Sequence, residues 1–468
     1  MELSSHAGRA ASLTLFLLCA LGVTGCAGTD RPAGDGDADG WVVSDVLPGD
    51  TLEDVADDLL PETDIFDPAA CDPRLLAEGQ VRAKPVVCAG ELPTGPNAIG
   101  RVGDLLIENS RVRFVIRAGA GHTFVGMDGG TLVDADIARS PGTPGEERLQ
   151  EIIPLFSLNA ADLESLEVTQ DGRSGEAVVT AAGPAVGVPY LASLLPFLQV
   201  LDATISHEYV LAADSSTLWI RTRITWNGVP GGASVMPIDG FFASGSLDEF
   251  PVESALGGAT PIPVIVRHRP GISYGFLGAK GYEMTSLGAV ALATGTPVDA
   301  PADGALVVER ALIVGDGSVS SITAELGRIR DLPMGWVVGV VEPTGGEAPD
   351  QLEVIATAMN GDLITRFRVR DEGQFNGVLP PGAAQLHAVC PGCEPGAPVS
   401  LDVLPGTAIN GAVVPPVVGS GVRLRITEGG EPIPGRVTAV PADGGPARTL
   451  LAWPPDQLFP LPPGGYRF

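Results

Sequence analysis

The sequence predicts an all-β protein, with a large antiparallel β-sandwich followed by small β-sandwiches. From Cys71 onward, short runs that alternate apolar and polar residues are separated by Gly, Pro, Asn and Asp, which is the pattern of strands joined by turns. Glycine and proline contribute 62 and 42 of the 468 residues, and hydrophobic residues make up 44%. This composition is sufficient for two or three hydrophobic cores and excludes a wholly disordered chain.

The first segment with clear alternation is 111–117. Its apolar residues fall on one face and its arginines on the other, because successive side chains of a strand point to opposite faces. The apolar residues are Val112, Phe114 and Ile116. The arginines are Arg111, Arg113 and Arg117. We therefore expect one buried face, with the arginines facing solvent or a partner.

The segment 217–226 shows the strongest pattern of a strand with one buried side. The residues of its apolar face are Leu218, Ile220, Ile224 and Trp226. Arg221 and Arg223 lie on the opposite face. The remaining strand candidates are 103–108, 166–170, 176–181, 202–211, 262–268, 307–314, 336–341, 352–358, 362–370, 385–389 and 422–427. So many strands in one chain indicate large sheets.

The N-terminus has the layout of an export signal. Arg9 precedes an uncharged apolar run from Ala11 to Val23, which is shorter than the roughly 20 residues of a spanning helix. The run ends in Val23-Thr-Gly-Cys26 and resembles a bacterial lipoprotein signal. The resemblance implies that Cys26 is acylated, and Ala27 favours an outer-membrane or cell-surface location. An ordinary cleaved signal with an incidental cysteine is the alternative.

The segment 26–70 is strongly acidic. It carries thirteen Asp and Glu residues against a single basic residue, Arg31, with scattered Gly and Pro. Such a composition predicts a disordered, solvated tether that holds the folded part away from a membrane. The alternative is a calcium site, because Asp35, Asp37 and Asp39 imitate the start of an EF-hand loop, although no glutamate stands at its twelfth position.

The four cysteines beyond Cys26 predict disulfides. They are Cys71, Cys88, Cys390 and Cys393. An exported protein would oxidise them, and the simplest pairing is local, which joins the first two and the last two. The first bond would stabilise the fold by about 3 kcal/mol in the chain-entropy model. The spacing of Cys390 and Cys393 also fits a redox pair or half a zinc site, but no second C-x-x-C completes one.

A composition change near Pro333 marks a domain boundary, and the pattern beyond it occurs twice. The first copy contains Asp371-Glu-Gly-Gln-Phe375 and Val378-Leu-Pro-Pro-Gly382, and the second ends in Phe459-Pro-Leu-Pro-Pro-Gly-Gly-Tyr466. Both are similar to the carboxypeptidase regulatory-like, or transthyretin-like, family of small seven-stranded sandwiches. The resemblance implies one such domain over 333–405 and a second, incomplete one over 417–468. We therefore expect this sequence to be the N-terminal piece of a longer protein.

The region 71–332 is expected to form the large β-sandwich domain. Its segments 97–109 and 126–136 resemble the β-rich leaders of myxobacterial-type surface lipoproteins, which precede PHP-type metallohydrolase domains. The segment 207–211 and the strand of Trp219 are similar to the galactose-mutarotase-like supersandwich. That second resemblance implies a supersandwich-like fold whose strands line a sugar groove.

The five histidines stand singly, without the spacing of a metal site. We therefore expect no metal, no cofactor and no catalytic residue within these 468 residues. The best candidates for binding a ligand or a cation are His122, Asp128, Asp134 and Asp136. Asp134 and Asp136 would share a strand face, with His207 and Glu208 as further members. The alternative is that the aspartates are turn residues and that His207 is a hydrogen-bonded core residue.

The charge balance restricts the classes of possible partner. Lys and Arg number 28 and Asp and Glu 57, and the resulting net charge of −29 disfavours nucleic acid. We expect an exported, lipid-anchored envelope protein with a non-catalytic binding role, whose partner is a polysaccharide or an envelope protein. Carbohydrate is the leading ligand, with aromatic contacts from Trp219, Trp226, Tyr274 or Tyr282. The alternatives are a mutarotase-like isomerase and the N-terminal leader of a PHP-type hydrolase whose catalytic domain is absent from this chain.

Overall fold

The computed structural model describes residues 70–119, 129–188, 200–228, 234–243, 246–250, 264–269, 271–278, 283–287, 290–301, 305–342, 352–390, 396–415, 421–451, 458–461 and 464–468. Within these residues, 33 β-strands and a single α-helix confirm the predicted all-β fold class. The described part holds no helix that is both long and apolar enough to span a membrane. The predicted signal, Cys26 and residues 26–69 of the tether lie outside the described residues.

Nineteen strands build the large sandwich and its margins. They are β1 Val81–Pro85, β2 Leu105–Asn109, β3 Val112–Ile116, β4 Leu132–Ile137, β5 Leu149–Phe156, β6 Asn159–Ala161, β7 Ser165–Asp171, β8 Glu176–Gly187, β9 Ala203–Ala212, β10 Thr217–Trp226, β11 Ser234–Val235, β12 Pro237–Ala243, β13 Ser246–Phe250, β14 Val264–Arg269, β15 Ile272–Leu277, β16 Glu283–Leu287, β17 Val290–Thr294, β18 Val298–Asp299 and β19 Ala305–Gly315.

Sixteen of these strands form two antiparallel sheets that face each other. Sheet A has the order β1-β2-β3-β4-β5-β12-β17-β16. Sheet B has the order β7-β8-β9-β10-β19-β15-β14-β13. The short strand β6 pairs with both β5 and β8 and so connects the two sheets, while β11 and β18 form a separate pair.

Strand β8 turns the corner between the sheets. Its first part pairs with β9 as far as Pro184, and its last residues pair with β6. At Gly183, a Cβ atom would lie 1.5 Å from the carbonyl oxygen of Asp162. Only glycine fits this close approach of two backbones, and the proline that follows is typical of a strand that bends.

The core of the large sandwich lies between the two sheets. Strand β10 shows how it is built, because its alternate residues Leu218, Ile220 and Ile224 are completely buried, while Arg221 and Arg223 are exposed. Trp226 is half-buried and packs against the same core. The faces predicted for 217–226 are therefore confirmed.

Strand β3 differs from its prediction. Arg111 is exposed, but Arg113 and Arg117 are buried and pair with Glu108 and Asp104. The chain from residue 72 onward crosses the outer face of sheet A here, so that this part of the sheet is covered on both sides. It forms a second apolar cluster there, made of Val86, Leu106, Val115 and Val133. The expectation that these two arginines face solvent or a partner was wrong, because a strand pattern does not reveal what covers its polar face.

An ion pair crosses the apolar core. Arg310 on β19 of sheet B places its Nε 2.8 Å from Oδ1 of Asp239 on β12 of sheet A, and both side chains are almost completely buried. Nη2 of Arg310 donates to Oγ1 of Thr222 over 2.9 Å. The guanidinium also lies 5.6 Å from the ring centroid of Phe156 on β5. These contacts join the two sheets at a place where most other contacts are apolar.

After β19, the chain forms helix α1, Val319–Ile329, and then a small sandwich. Ser318 begins the helix, and its side-chain oxygen accepts a hydrogen bond from the amide of Ser321. The strands of the small sandwich are β20 Gly335–Val341, β21 Glu353–Ala358, β22 Leu363–Arg368, β23 Gln374–Leu379, β24 Gly382–Val389, β25 Val399–Val403 and β26 Ala408–Val414. Their two sheets have the orders β23-β20-β26 and β22-β21-β24-β25, and only the β20–β26 pairing is parallel.

Helix α1 packs between the two sandwiches. Its apolar residues Val319, Ile322 and Leu326 lie against Ala311 and Ile313 on the outer face of sheet B. On the other side, the helix makes polar contacts with the small sandwich. The Ser320 hydroxyl accepts from the Val378 amide over 3.1 Å, and the hydroxyls of Thr323 and Thr365 lie 2.9 Å apart. The helix therefore fixes the small sandwich against sheet B.

The last part of the chain forms three small sheets. Their strands are β27 Gly421–Arg423, β28 Thr427–Glu428, β29 Glu431–Pro432, β30 Arg436–Pro441, β31 Arg448–Leu451, β32 Leu458–Pro460 and β33 Tyr466–Arg467. The orders are β27-β32, β28-β29 and β31-β30-β33. Most described side chains in this region are exposed or half-buried, and Ala439 and Leu461 are the two described residues of this region that are buried.

The buried ion pair yields a prediction about stability. Replacing Arg310 by methionine should lower the free energy of unfolding by about 3 to 5 kcal/mol, because the carboxylate of Asp239 would lose the cation that compensates its buried charge. Urea denaturation of the purified protein measures this loss.

Arg221 provides the matched control, since it also pairs with a carboxylate but is 48% exposed. Arg221→Met should cost less than about 1 kcal/mol. The double variant Arg310→Met with Asp239→Leu should recover much of the loss, because no uncompensated charge remains. Equal costs for the Arg310 and Arg221 variants would contradict the prediction.

Candidate functional site

The residues predicted to bind a ligand do not all fall in the described part. His122 and Asp128 lie outside it. Asp134 and Asp136 lie on β4, and each is at most 1% exposed. The two carboxylates share a strand face, as expected from their spacing. Their participation in ligand binding stays a prediction.

Asp134 holds a neighbouring loop. Its Oδ1 accepts from the amide of Ile99 over 2.9 Å, and its Oδ2 accepts from the amide of Gly100 over 2.7 Å. At Gly100 a Cβ atom would lie 2.4 Å from Oδ2, so the loop comes this close only because it has glycine there. Burial raises the pKa of Asp134 to about 6, and the two amides and Arg117 oppose that rise.

Asp136 holds a second loop. It accepts two hydrogen bonds from the guanidinium of Arg139, at 3.1 and 3.0 Å, and a third from the amide of Glu146 at 3.3 Å. Burial raises its pKa. The neighbouring Glu147 is also fully buried, and burial, followed by the nearby charge of Asp134, raises the pKa of Glu147 well above its usual range. These carboxylates position the loops around residues 97–100 and 139–148.

His207 lies inside the large sandwich and contacts no solvent-facing group. Its Nδ1 is 2.7 Å from Oγ1 of Thr222, the same hydroxyl that accepts a hydrogen bond from Arg310. Burial, and then the positive charge of Arg310, lower the pKa of His207 to about 3. The imidazole is therefore neutral under physiological conditions, as befits a hydrogen-bonded core residue. Glu208, the next residue, points to the opposite side of sheet B.

The cysteines are partly described. Cys71 and Cys88 form a disulfide, as predicted. Cys390 is also disulfide-bonded, and Cys393, its predicted partner, lies outside the described residues. Within the described ranges, only Cys71, Cys88 and Glu91 bring three possible metal ligands together. Because two of these are joined in the disulfide, they offer no thiolate to a metal.

The four aromatic residues expected to contact a ligand are separated by the fold. Tyr274 is buried, and its hydroxyl donates to the carbonyl of Ala135 over 2.8 Å. Trp226 packs against the core, and Tyr282 lies outside the described residues. Trp219 is 36% exposed on the outer face of sheet B. Of the three described candidates, Trp219 is therefore the one placed to contact a ligand.

Trp219 belongs to an open surface that we name the β10 platform. Four side chains of β10 project from it at alternate positions, about 7 Å apart. They are Trp219, Arg221, Arg223 and Thr225. Each of the four has one neighbour on β9 and one on β19. Trp219 lies between Val210 and Ala311, Arg221 between Glu208 and Glu309, Arg223 between Ser206 and Val307, and Thr225 between Thr204 and Ala305. Helix α1 covers the same sheet face beyond Trp219, around Ile313.

The two arginines of the platform differ in their surroundings. Arg221 lies between two carboxylates, 2.7 Å from Glu309 and 3.4 Å from Glu208, and the hydrogen bond that its guanidinium donates to Glu309 is the main cause of its raised pKa. Arg223 stands opposite Val307 and Ser206. Within the described part of the chain, no carboxylate lies at ion-pair distance from Arg223. Within the described residues, the platform thus combines an exposed aromatic ring, a cluster of Arg221 and two carboxylates with a net charge of −1, and a cation that has no carboxylate at ion-pair distance.

A cleft of about 450 Å³ lies elsewhere, at the edge of the large sandwich. It is lined by Pro85, Gly103, Leu105, Ala118, Gly119, Asp162, Leu163, Glu164 and Leu166. Asp104 holds the part of the wall at Ala118, because its carboxylate accepts a hydrogen bond from the amide of Ala118 over 3.0 Å and pairs with Arg117. Sequence reasoning missed the cleft, because its walls come from four separate segments of the chain.

Comparisons with known proteins assign no family to the chain. No family model matches, and no curated protein matches. Among solved structures, a polysaccharide lyase is similar with 11% identity and a TM-score of 0.23, over 72% of this chain and 48% of the lyase. The TIE protein of Bacillus anthracis is similar with 10% identity and a TM-score of 0.14, over 77% of this chain and 52% of that protein. The chain spans about half the length of each, and neither likeness assigns a fold or a function.

The raised pKa of Asp134 predicts a specific dependence of stability on pH. Its pKa of about 6 lies above the ordinary value of 3.8, so the folded protein holds this proton more tightly than the unfolded chain. The stability that this tighter proton binding contributes is fully present below about pH 4 and is lost as the pH rises through about 6. In Asp134→Asn this titration is absent. The free energy of unfolding of the variant should therefore gain about 3 kcal/mol relative to wild type over this range.

Urea denaturation of both proteins at several pH values across this range measures the difference. Glu167→Gln is the control variant, because it likewise exchanges a carboxylate for an amide, but on the exposed face of β7. If the difference between wild type and Asp134→Asn does not change with pH, the assigned pKa of Asp134 is wrong.

Proposed function

We propose that this chain is an exported, lipid-anchored protein of the cell envelope that binds carbohydrate and does not convert it. The observation that carries the proposal is the β10 platform, where Trp219 is exposed beside charged and hydroxyl side chains on a well-ordered sheet. Strands give such a surface a rigid geometry, which favours binding because little order must be created when the ligand arrives.

The chemistry of the platform suits a sugar. A sugar ring has an apolar C–H face and a rim of hydroxyl groups, and the flat ring of Trp219 offers the apolar face a stacking surface. Arg221 and its two glutamates hold one another in place, so their remaining donors and acceptors are already oriented towards hydroxyls. Thr225 and Thr204, which pair across β10 and β9, add hydroxyl groups at the far end.

Binding is favoured over catalysis because of where the ionisable groups lie. A general acid or base must reach the reacting atoms of its ligand. His207 is turned into the core beneath the platform, and Asp134 and Asp136 hold loops from buried positions. On the platform itself, Glu208 and Glu309 are engaged with Arg221. This arrangement supports a recognition surface.

Export is supported by the disulfide between Cys71 and Cys88, because such bonds form and persist in oxidising compartments. It agrees with the export signal that the sequence predicts upstream. The acidic segment 26–70 would then separate the acyl group on Cys26 from the folded part that begins at Cys71.

The first prediction concerns the ligand surface. The whole chain should bind at least one member of a panel of neutral and acidic polysaccharides. Trp219→Ala should weaken that binding about tenfold or more, because an aromatic anchor is lost from the platform. Affinity electrophoresis, followed by isothermal titration calorimetry with the retained polysaccharide, measures the change.

Trp336→Ala is the matched control, because Trp336 is 44% exposed on β20 of the small sandwich. The control variant should bind like wild type. Loss of binding in the Trp336 variant alone would move the site to the small sandwich, and retention of no polysaccharide by wild type would overturn the proposed function.

The second prediction concerns the anchor. Cys26→Ala should move the expressed protein from the membrane fraction to the soluble fraction and abolish labelling by radioactive palmitate, because the acyl chains require the thiol of Cys26. Cys19→Ala, which alters a cysteine inside the apolar run of the signal, should leave both properties unchanged. Persistent labelling of Cys26→Ala would exclude this lipidation site.

A further inference from the structure

Arg223 is the one residue of the β10 platform whose position is not explained by any contact within the described part of the chain. Its neighbour Arg221 lies between Glu208 and Glu309, yet Arg223 faces Val307 on one side and Ser206 on the other. Its side chain is exposed on a strand whose alternate residues are completely buried. The chain has twice as many acidic as basic residues, so a cation left without a carboxylate is unusual here.

The local charge at the platform differs from that of the whole chain. The two arginines balance Glu208 and Glu309, although the chain carries a net charge of −29. Thirteen of its acidic residues lie in the segment 27–70. At physiological salt, charges beyond about 8 Å are largely screened, so a bound ligand senses mainly the groups of the platform. For such a ligand, Arg223 is the cation of the platform that forms no ion pair within the described residues.

We infer that the β10 platform selects saccharides that carry carboxylate groups, with a sugar ring on Trp219 and a carboxylate on the guanidinium of Arg223. This inference rests on the proposed carbohydrate binding. The planar guanidinium matches a carboxylate with two parallel hydrogen bonds. Trp219 and Arg223 are four positions apart on an extended strand, which corresponds to about 13 Å. The ligand therefore contains more than one sugar unit, and a uronic-acid oligosaccharide fits this description.

The test compares two probes that share one sugar backbone, one with free carboxylates and one with methyl esters in their place. An oligogalacturonate and its fully methyl-esterified form share one sugar backbone, and the ester lacks the carboxylate charge. Calorimetric titration of the whole chain should give about tenfold tighter binding of the acid, which is the range of one charge-assisted hydrogen-bonded pair. Arg223→Met removes the charge and keeps an apolar stem, and it should abolish this preference.

Two variants control the experiment. Arg111→Met changes another exposed arginine of the large sandwich and should keep the full preference for the acid. Trp219→Ala should weaken the binding of both probes by a similar factor, because stacking of the sugar ring does not depend on the carboxylate. Polyglutamate serves as a carboxylate polymer without sugar rings and should not bind. Thermal melting checks that each variant is folded.

The outcomes separate the inference from the proposed function. Equal affinity of wild type for the acid and the ester overturns the inference and leaves carbohydrate binding intact. The inference is also overturned if Arg223→Met keeps the preference for the acid, or if Arg111→Met loses it. Binding of polyglutamate would overturn the inference too. If neither galacturonate probe binds but another saccharide of the panel does, only the inference fails. If no saccharide binds at all, the proposed function fails too.

Discussion

The ion pair between Arg310 and Asp239 is the interaction on which the large sandwich depends. A buried charge is tolerated only when its partner is in place, so this pair requires β19 and β12 to face each other at one particular height. Arg310 also donates to Thr222, whose hydroxyl contacts His207. With Thr222 committed to the interior, the alternation of a strand forces its neighbours Arg221 and Arg223 outward. The internal polar network thus determines which side chains the outer surface displays.

The same logic governs the acidic residues that the sequence offered as ligands. Asp134 and Asp136 are buried on β4, an inner strand of sheet A, where they accept hydrogen bonds from loop amides and from Arg139. A carboxylate with several donors can fix an irregular loop that has no ladder of its own. Burial raises the pKa values of both carboxyl groups, because the effect of desolvation is larger than the pKa-lowering effect of these donors. Their contribution in the described structure is to position the loops.

Period-two alternation identified the strand 217–226 and both of its faces, because a central strand with one open side has the simplest burial pattern. It misjudged 111–117, where the chain after Cys71 covers the face that carries Arg113 and Arg117. The pattern of a strand records the polarity of each face but not the segment that packs on it. For the same reason, the platform could be predicted only in part. The arginines of β10 were visible, while Glu208, Glu309 and Val307 come from strands whose register was unknown.

The sequence by itself determined the all-β class and the pairing of Cys71 with Cys88, since both follow from local features: alternation and turn residues in one case, and a short loop between two thiols in the other. Tertiary structure decided which charged side chains are buried, which carboxylates hold loops, and that within the described residues Arg221 has carboxylate partners while Arg223 has none. The contacts behind these outcomes join residues far apart in the chain, such as Ile99 with Asp134, Asp239 with Arg310, and Arg221 with Glu309. Such contacts are set by the packing of whole sheets, which minimises uncompensated buried charge over the entire fold.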